Sequence, residues 1–195
     1  MRGAAVTNYM ARQHSKTPFI GMDYNKYLID QSKELAEKSV PNLKLEVGDW
    51  FDMPARLRGT LDGILNVHTF CCFKHVDSAI DALVALEPRW IAFNSLFSDG
   101  DFDVLIHIRD HKRYFYETDD NPDGDFNTFS LPYVKKYLND RGYKKFFSQP
   151  FDIPVSLPKP KTGGRGTYTV ATEMSPRTQF SGSVYLPWHL VLAMR

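Results

Sequence analysis

Apolar and polar positions fall in blocks along the chain, and the spacing changes from one block to the next. Phe19-Ile20-Gly21-Met22-Asp23 is a short apolar run that ends in an acid, the pattern of a strand. In residues 26–39 the apolar positions Leu28, Leu35 and Ala36 share one helical face with charges opposite, and Pro41-Asn42 ends the segment. Leu43-Lys44-Leu45-Glu46-Val47 is a second strand-like run, closed by Gly48-Asp49-Trp50. Strand, helix and strand in this succession predict a βαβ unit with parallel strands. Residues 61–68 predict a further strand ending in Asn66-Val67-His68. A helix over 76–86 follows, with Val76, Ala79, Ile80 and Leu83 on one face and Pro88 as its stop. The continuous apolar run 89–97 suits a central strand buried on both faces.

The second half is less regular. Residues 98–129 alternate at Val104, Ile106 and Ile108, become aromatic over 113–117, and end in an acidic turn over 119–125, which predicts a hairpin or extended flap. Ser130 suits the N-cap of a helix that runs to Gly142, a good C′ residue. A strand is expected over 143–151, then a proline-containing crossing over 153–161. Gly163-Gly164-Arg165-Gly166 lacks the Lys-Ser/Thr of a phosphate loop and reads as a turn. Residues 167–172 and 177–182 predict a hairpin, and 189–194 a final strand, antiparallel and near the sheet's edge.

The chemistry sits at the ends of the first two strands. In open α/β sheets ligands bind beyond the carboxyl ends of the strands, so Asp23 and Asp49 are expected to face one crevice. A carboxylate there can accept hydrogen bonds from a ribose diol, and one on the next strand can reach an adenine amino group. Bonds to a charged acceptor contribute about 1.5–3 kcal/mol each. The plainer reading of each acid is a helix cap or turn residue.

Gly21-Met22-Asp23, Gly48-Asp49-Trp50 and the strand 61–68, in this order and spacing, resemble the class I S-adenosylmethionine (SAM)-dependent methyltransferases. The resemblance covers nearly the whole chain. It implies an α/β, Rossmann-like, mostly parallel sheet with an antiparallel last strand, plus an accessory β-hairpin within 163–182 and a substrate flap over 98–129. It implies SAM as cofactor, with Gly3, Asp23, Tyr24, Asp49, Trp50, Asn66 and Val67 as cofactor-binding residues. It also places His68 where residues line the reacting centre, which makes it the first candidate for a catalytic base, with His107 and His111 behind it. A structural histidine is the alternative for His68, and a solvated hairpin face for the histidines of the flap.

The family's first strand ends in an acid followed by a glycine-rich turn, into which Gly3 fits. Thr7 stands where a further glycine is expected, and Met1 and Arg2 alone precede Gly3. The chain is therefore expected to be N-terminally truncated, to close its sheet differently, or to be a degenerate member. Apolar strand positions near Ile20 and Leu65 should then be exposed, and a homo-oligomer formed through the gap is one outcome.

Composition narrows the partners. A chain of 195 residues suits a single domain over 1–195 with a sizeable core. With 43% apolar and 24% charged residues it reads as an ordinary globular protein. A net charge of +1 gives no bulk attraction for nucleic acid. No apolar run reaches the roughly 20 residues that span a bilayer, and the first ten residues lack the apolar core of a signal peptide. The only cysteines, Cys71 and Cys72, are adjacent, so no disulfide framework is expected and a cytoplasmic setting follows. His68, Cys71, Cys72 and His75 are metal-ligand types, but a structural zinc joins ligand pairs from distant segments and no second pair exists, so no metal is expected.

The function expected is methyl transfer from SAM to a small polar acceptor, a sugar or other metabolite ahead of protein or nucleic acid. The alternatives are a non-catalytic member that binds a nucleoside or a partner chain, and an NAD-dependent oxidoreductase. For the last, an acid at the strand end also suits NAD ribose, but the full Gly-x-Gly-x-x-Gly turn is missing.

Overall fold

A computed structural model of the chain describes residues 5–36, 40–109, 123–161 and 166–195. They group into two compact units, residues 1–60 and 61–195.

The first unit contains helix α1 (Ala5–Gln13), strand β1 (Phe19–Asp23), helix α2 (Lys26–Ala36), strand β2 (Leu43–Val47) and a 3₁₀ turn, Ala55–Leu57. β1 and β2 are parallel, in register from Phe19↔Leu43 to Asp23↔Val47, as the apolar pattern predicts. The core is Ala11, Ile29, Val40, Leu43 and Leu45, with Phe19 packed against it. Asn25 caps α2, its Oδ1 accepting from the Tyr27 and Leu28 amides at 3.0 and 3.3 Å. Gly21 allows α1 to approach β1: a Cβ there would lie 2.7 Å from Leu45 Cδ2 and 3.3 Å from Thr7 Cγ2. Asn42 ties the end of α1 to the strands, donating from Nδ2 to the carbonyls of Ala11 and Thr17 at 2.9 and 2.7 Å. On β2, Lys44 and Arg56 both pair with Glu46 and hold its carboxyl below the usual range.

The second unit contains β3 (Gly63–Val67), a 3₁₀ turn (Phe70–Cys72), helix α3 (Val76–Val84) and β4 (Trp90–Ser98). Next come β5 (His107–Arg109), β6 (Asp123–Asp125), β7 (Phe129–Ser130), helix α4 (Leu131–Asp140) and β8 (Lys145–Pro150). Strands β9 (Thr167–Val170), β10 (Thr178–Ser181), β11 (Val184–Tyr185) and β12 (Trp188–Met194) complete it. A five-stranded sheet has the order β3-β4-β12-β8, with β7 paired to β4. β3 is parallel to β4, and β12 is antiparallel to both β4 and β8. The last strand is thus antiparallel as expected, but it does not lie near the edge. It is inserted between β4 and β8, which agrees with its largely buried residues, while β8 takes the exposed edge.

One face of this sheet carries an aromatic core. Phe70 sits 4.7 Å from Phe93, 6.1 Å from Phe97 and 5.6 Å from Phe129. Burial of Ile80 and Leu83 from α3, and of Val134 and Leu138 from α4, extends the core. Ser130 caps α4 by accepting from Tyr133 N at 3.2 Å, and Gly142 follows at φ 96, as the pattern of a cap and a C′ glycine predicts. The flap region forms the antiparallel pair β5–β6. The accessory hairpin is β9–β10, extended to three strands by β11.

Among the described residues β1 pairs with β2 alone, and β3 with β4 alone. Ile20 and Leu65 are 40% and 45% exposed, as expected of strands with an open side.

Candidate functional site

In the first unit the two acids stand at matching strand ends. Asp23 is the last residue of β1 and pairs in register with Val47, the last of β2, two residues before Asp49. The Gly48 amide donates to the Asp23 carbonyl at 3.0 Å, which extends the ladder to the turn. Each acid turns its own chain. Asp23 Oδ1 accepts from Asn25 N, and Asp49 Oδ1 from Phe51 N, both at 2.9 Å. These are Asx turns, and among the described residues they leave Oδ2 of each carboxylate to an outside donor. Beside the acids, Tyr24 is 69% and Phe51 54% exposed, and Trp50 is half-buried. A small cavity next to Asp23 is walled by Thr7, Gly21 and Ser32.

In the second unit the end of β3 is built differently. Asn66 is buried, and its Oδ1 accepts from Phe70 N at 3.2 Å, so its side chain holds the following turn in place. Val67 is half-buried and in register with Asn94. His68 has φ 65, a left-handed backbone that is uncommon for any residue but glycine. Its amide donates to Asn94 O at 2.9 Å, and its carbonyl accepts from the thiols of Cys71 and Cys72 at 3.5 and 3.8 Å. The imidazole stacks on Trp188, with ring centres 4.4 Å apart and planes 24° from parallel. The residue is exposed, yet desolvation of the ring lowers its pKa below the ordinary histidine value, with the Asn94 side chain opposing. That direction favours the neutral ring, the state a general base requires.

The other cysteine and histidine candidates divide. The Cys71 thiol is pushed well above its usual pKa, first by its bond with the Cys72 thiol and then by burial, which leaves it without nucleophilic character. His107, on β5, pairs through Nδ1 with Asp125 Oδ1 on β6 at 3.1 Å. Gly3 and His111 lie outside the described residues. Among the described residues no group of three or more His, Cys, Asp or Glu side chains is placed to hold a metal ion.

Sequence reasoning missed three residues here. Trp188 stacks on the His68 ring and Asn94 accepts from the His68 amide through its carbonyl, and their only signal was an aromatic at the head of the last strand and a polar residue inside the apolar run 89–97. Asn127 is buried and ties three segments together. Its amide donates to Cys71 O at 2.7 Å, its Nδ2 to Phe73 O at 2.8 Å, and its Oδ1 accepts from Ile106 N at 2.9 Å.

The chain matches no protein-family profile and, by sequence, none of the curated proteins. Its shape does have counterparts. It is similar to the N-terminal domain of EvdMO1, solved in the presence of SAH and D-fucose, with a TM-score of 0.63 and 13% identity over 99% of this chain and 72% of that one. It is similar to the CMeT domain of the citrinin polyketide synthase, with a TM-score of 0.57 and 13% identity over 98% of this chain. It is also similar to magnesium protoporphyrin IX methyltransferase from Synechocystis PCC 6803 with bound SAH, with a TM-score of 0.53 and 12% identity over 99% of this chain and 71% of that one. The fold is that of the class I SAM-dependent methyltransferases. The chain spans 44% of the citrinin synthase domain's length. Among the described residues no helix is long and apolar enough to cross a membrane.

Proposed function

We propose that the chain binds SAM and transfers its methyl group to a small polar acceptor. The observation that carries this reading is the pair Asp23 and Asp49. They stand at the ends of adjacent parallel strands, each with one oxygen in its own turn and the other left to a ligand. Two such acceptors beside the exposed Tyr24 and Phe51 fit the donor groups and flat base of a nucleoside. Structural neighbours crystallised with SAH support the same cofactor class.

In this reading Asp23 accepts the ribose hydroxyls and Asp49 the adenine amino group, with Tyr24 and Trp50 beside the nucleoside. Gly3 would let the backbone approach the amino-acid end. Asn66 and Val67 are further candidates to bind the cofactor. When bound, SAM supplies a methyl carbon on a sulfonium sulfur, which keeps the bonding electron pair as the acceptor takes the methyl. The protein's part is alignment, which can supply about 7–11 kcal/mol. The neutral imidazole of His68 takes the proton that an acceptor hydroxyl loses, a contribution of about 10²–10⁴-fold. Trp188 stacks against that ring. His107 and His111, on the flap, are second candidates for the same role. A sugar or other metabolite is the acceptor class we favour, and the D-fucose present with the similar EvdMO1 domain supports it.

Isothermal titration with SAM and with SAH tests the reading. Binding of both, weakened by Asp23→Ala, is expected. A sample that unfolds cooperatively yet gives no heat with either compound removes the proposal. Binding of both without turnover on any acceptor would move the chain to the non-catalytic class.

A further inference from the structure

The second unit carries an open cleft of about 290 Å³ that the methyl-transfer reading does not use. It is lined by Lys74, Asp101, Phe102, Asp103, Leu105 and Tyr133. These come from the end of the turn after β3, from the loop after β4, and from the first turn of α4.

The cleft has two kinds of wall. Phe102 and Leu105 form an apolar one, and each stands 63% exposed although nothing forces so large a side chain into water. The loop that presents them is pinned. Asp103 Oδ1 accepts from Ser130 N at 2.7 Å, and Val104 exchanges backbone bonds with Thr128 at 2.8 and 2.9 Å. The other wall is polar and mixed in role. Asp101 and Asp103 offer acceptors and Lys74 offers donors. The Tyr133 hydroxyl, held by its bond to Asp77 at 2.9 Å, stays protonated, its pKa pushed up to about 12 by that bond. Among the described residues neither Lys74 nor Asp101 has a side-chain hydrogen bond of its own.

A ligand that satisfies both walls has an apolar face for Phe102 and a rim of groups that both donate and accept. A single sugar ring has both: C–H bonds on one face and hydroxyls around the edge. The volume lies at the small end of the range for ligand sites, roughly 300–1,000 Å³. A small cationic amine would pair with Asp77, Asp101 and Asp103, but it would also meet Lys74 and would leave most of the apolar wall of Phe102 and Leu105 uncovered. We infer that this cleft binds a neutral, monosaccharide-sized polyol.

The test uses the full chain and methyl α-D-glucopyranoside, followed by saturation-transfer difference NMR, with 1,4-diaminobutane as the competing cation. Saturation should reach the ring protons of the glycoside. Phe102→Ala should weaken its binding about three- to tenfold, the worth of one aromatic contact, and Asp101→Asn should weaken it as well. Phe102 is exposed, so its removal should leave the melting curve in place. The inference is overturned by absence of transfer to the glycoside, by affinity unchanged in both variants, or by displacement of the glycoside by the diamine. SAH titrated into the same sample separates the two proposals. SAH binding without glycoside binding removes the sugar site alone. Glycoside binding without SAH binding supports the cleft and removes the methyl-transfer reading.

Discussion

After β1 and β2 the chain turns on the carboxylates of Asp23 and Asp49, whereas after β3 it turns on His68. The acids each commit one oxygen to an amide two residues on, at 2.9 Å, and the residues beside them, Tyr24 and Phe51, face solvent. In the turn after β3 Asn66 and Cys71 are buried, while His68 and Cys72 stay exposed. The Asn66 side chain holds Phe70 N, the His68 amide and carbonyl are both bonded, and the ring is stacked on Trp188. The first arrangement presents acceptors to a ligand at little cost, since an Asx turn is a relaxed structure. The second keeps one residue at φ 65, and a strained backbone of this kind costs of order 1–3 kcal/mol. Strain is retained where neighbours over-determine it, and here they fix the direction of one imidazole. The two turns thus differ in what closes them: carboxylates that accept from amides two residues on in one, a left-handed histidine stacked on Trp188 in the other.

If that contrast is right, the largest effect should come from the ring. His68→Asn keeps a side chain that tolerates positive φ but removes the base. Turnover on a hydroxyl acceptor, read as SAH release, should fall about 10²–10⁴-fold, with SAM affinity by titration changed much less. A parallel fall in both would make His68 a binding or structural residue and erase the contrast.

The second effect is on stability. Asn127→Ala removes a buried side-chain amide, leaving the part-buried Ile106 amide and Phe73 carbonyl without their partner. Each unsatisfied group costs about 1–3 kcal/mol, so urea unfolding should show a loss of about 2–4 kcal/mol. The matching change at the strand-end acids should behave in the opposite way. Asp23→Ala should weaken SAM binding by about 1.5–3 kcal/mol and shift the urea midpoint less than Asn127→Ala, because it loses one part-buried turn bond rather than two side-chain bonds of a buried residue. A large stability loss at Asp23, or none at Asn127, would show that the two regions do not divide their polar groups as described.

These regions were not equally legible in the sequence. The acids could be read because each closes an apolar run. The turn reading of Asp23 and Asp49 is the one seen in the structure, with one oxygen of each accepting from an amide two residues on. Elements with a strong local period also appear where expected: the parallel pair β1 and β2, the capped helix α4 with Gly142, and the hairpin β9–β10. What could not be read depends on pairing between distant segments. An apolar run such as 189–194 does not reveal its neighbours, so its insertion between β4 and β8 emerged only from the register. The stack of His68 on Trp188 and the three segments tied by Asn127 follow from that insertion and from the turn after β3.

The smallest effect expected is a pH dependence confined to the second region. Burial lowers the pKa of both His68 and His189 below the ordinary 6.5. The buried Nδ1 of His189 has no partner among the described residues, and its ring meets the edge of Phe97 at 6.3 Å. A histidine with a depressed folded-state pKa binds fewer protons folded than unfolded, so acid favours the unfolded chain. The stability these two residues permit is fully present above pH 6.5. It is lost as pH falls through 6.5 toward their lower folded-state values, below which the loss is complete. Urea midpoints measured from pH 8 to pH 5 should therefore be flat above 6.5 and decline below it. Replacing both rings, as His68→Asn with His189→Gln, should flatten the part of the decline that lies nearest 6.5. Carboxylates such as Glu46, whose pKa is lowered by Lys44 and Arg56, lose their contribution only in more acid solution, so their titration does not overlap this interval. A decline of the same size in the double variant would mean that neither ring is held neutral by its surroundings, and with it the argument that His68 is kept ready as a base would lose its electrostatic support.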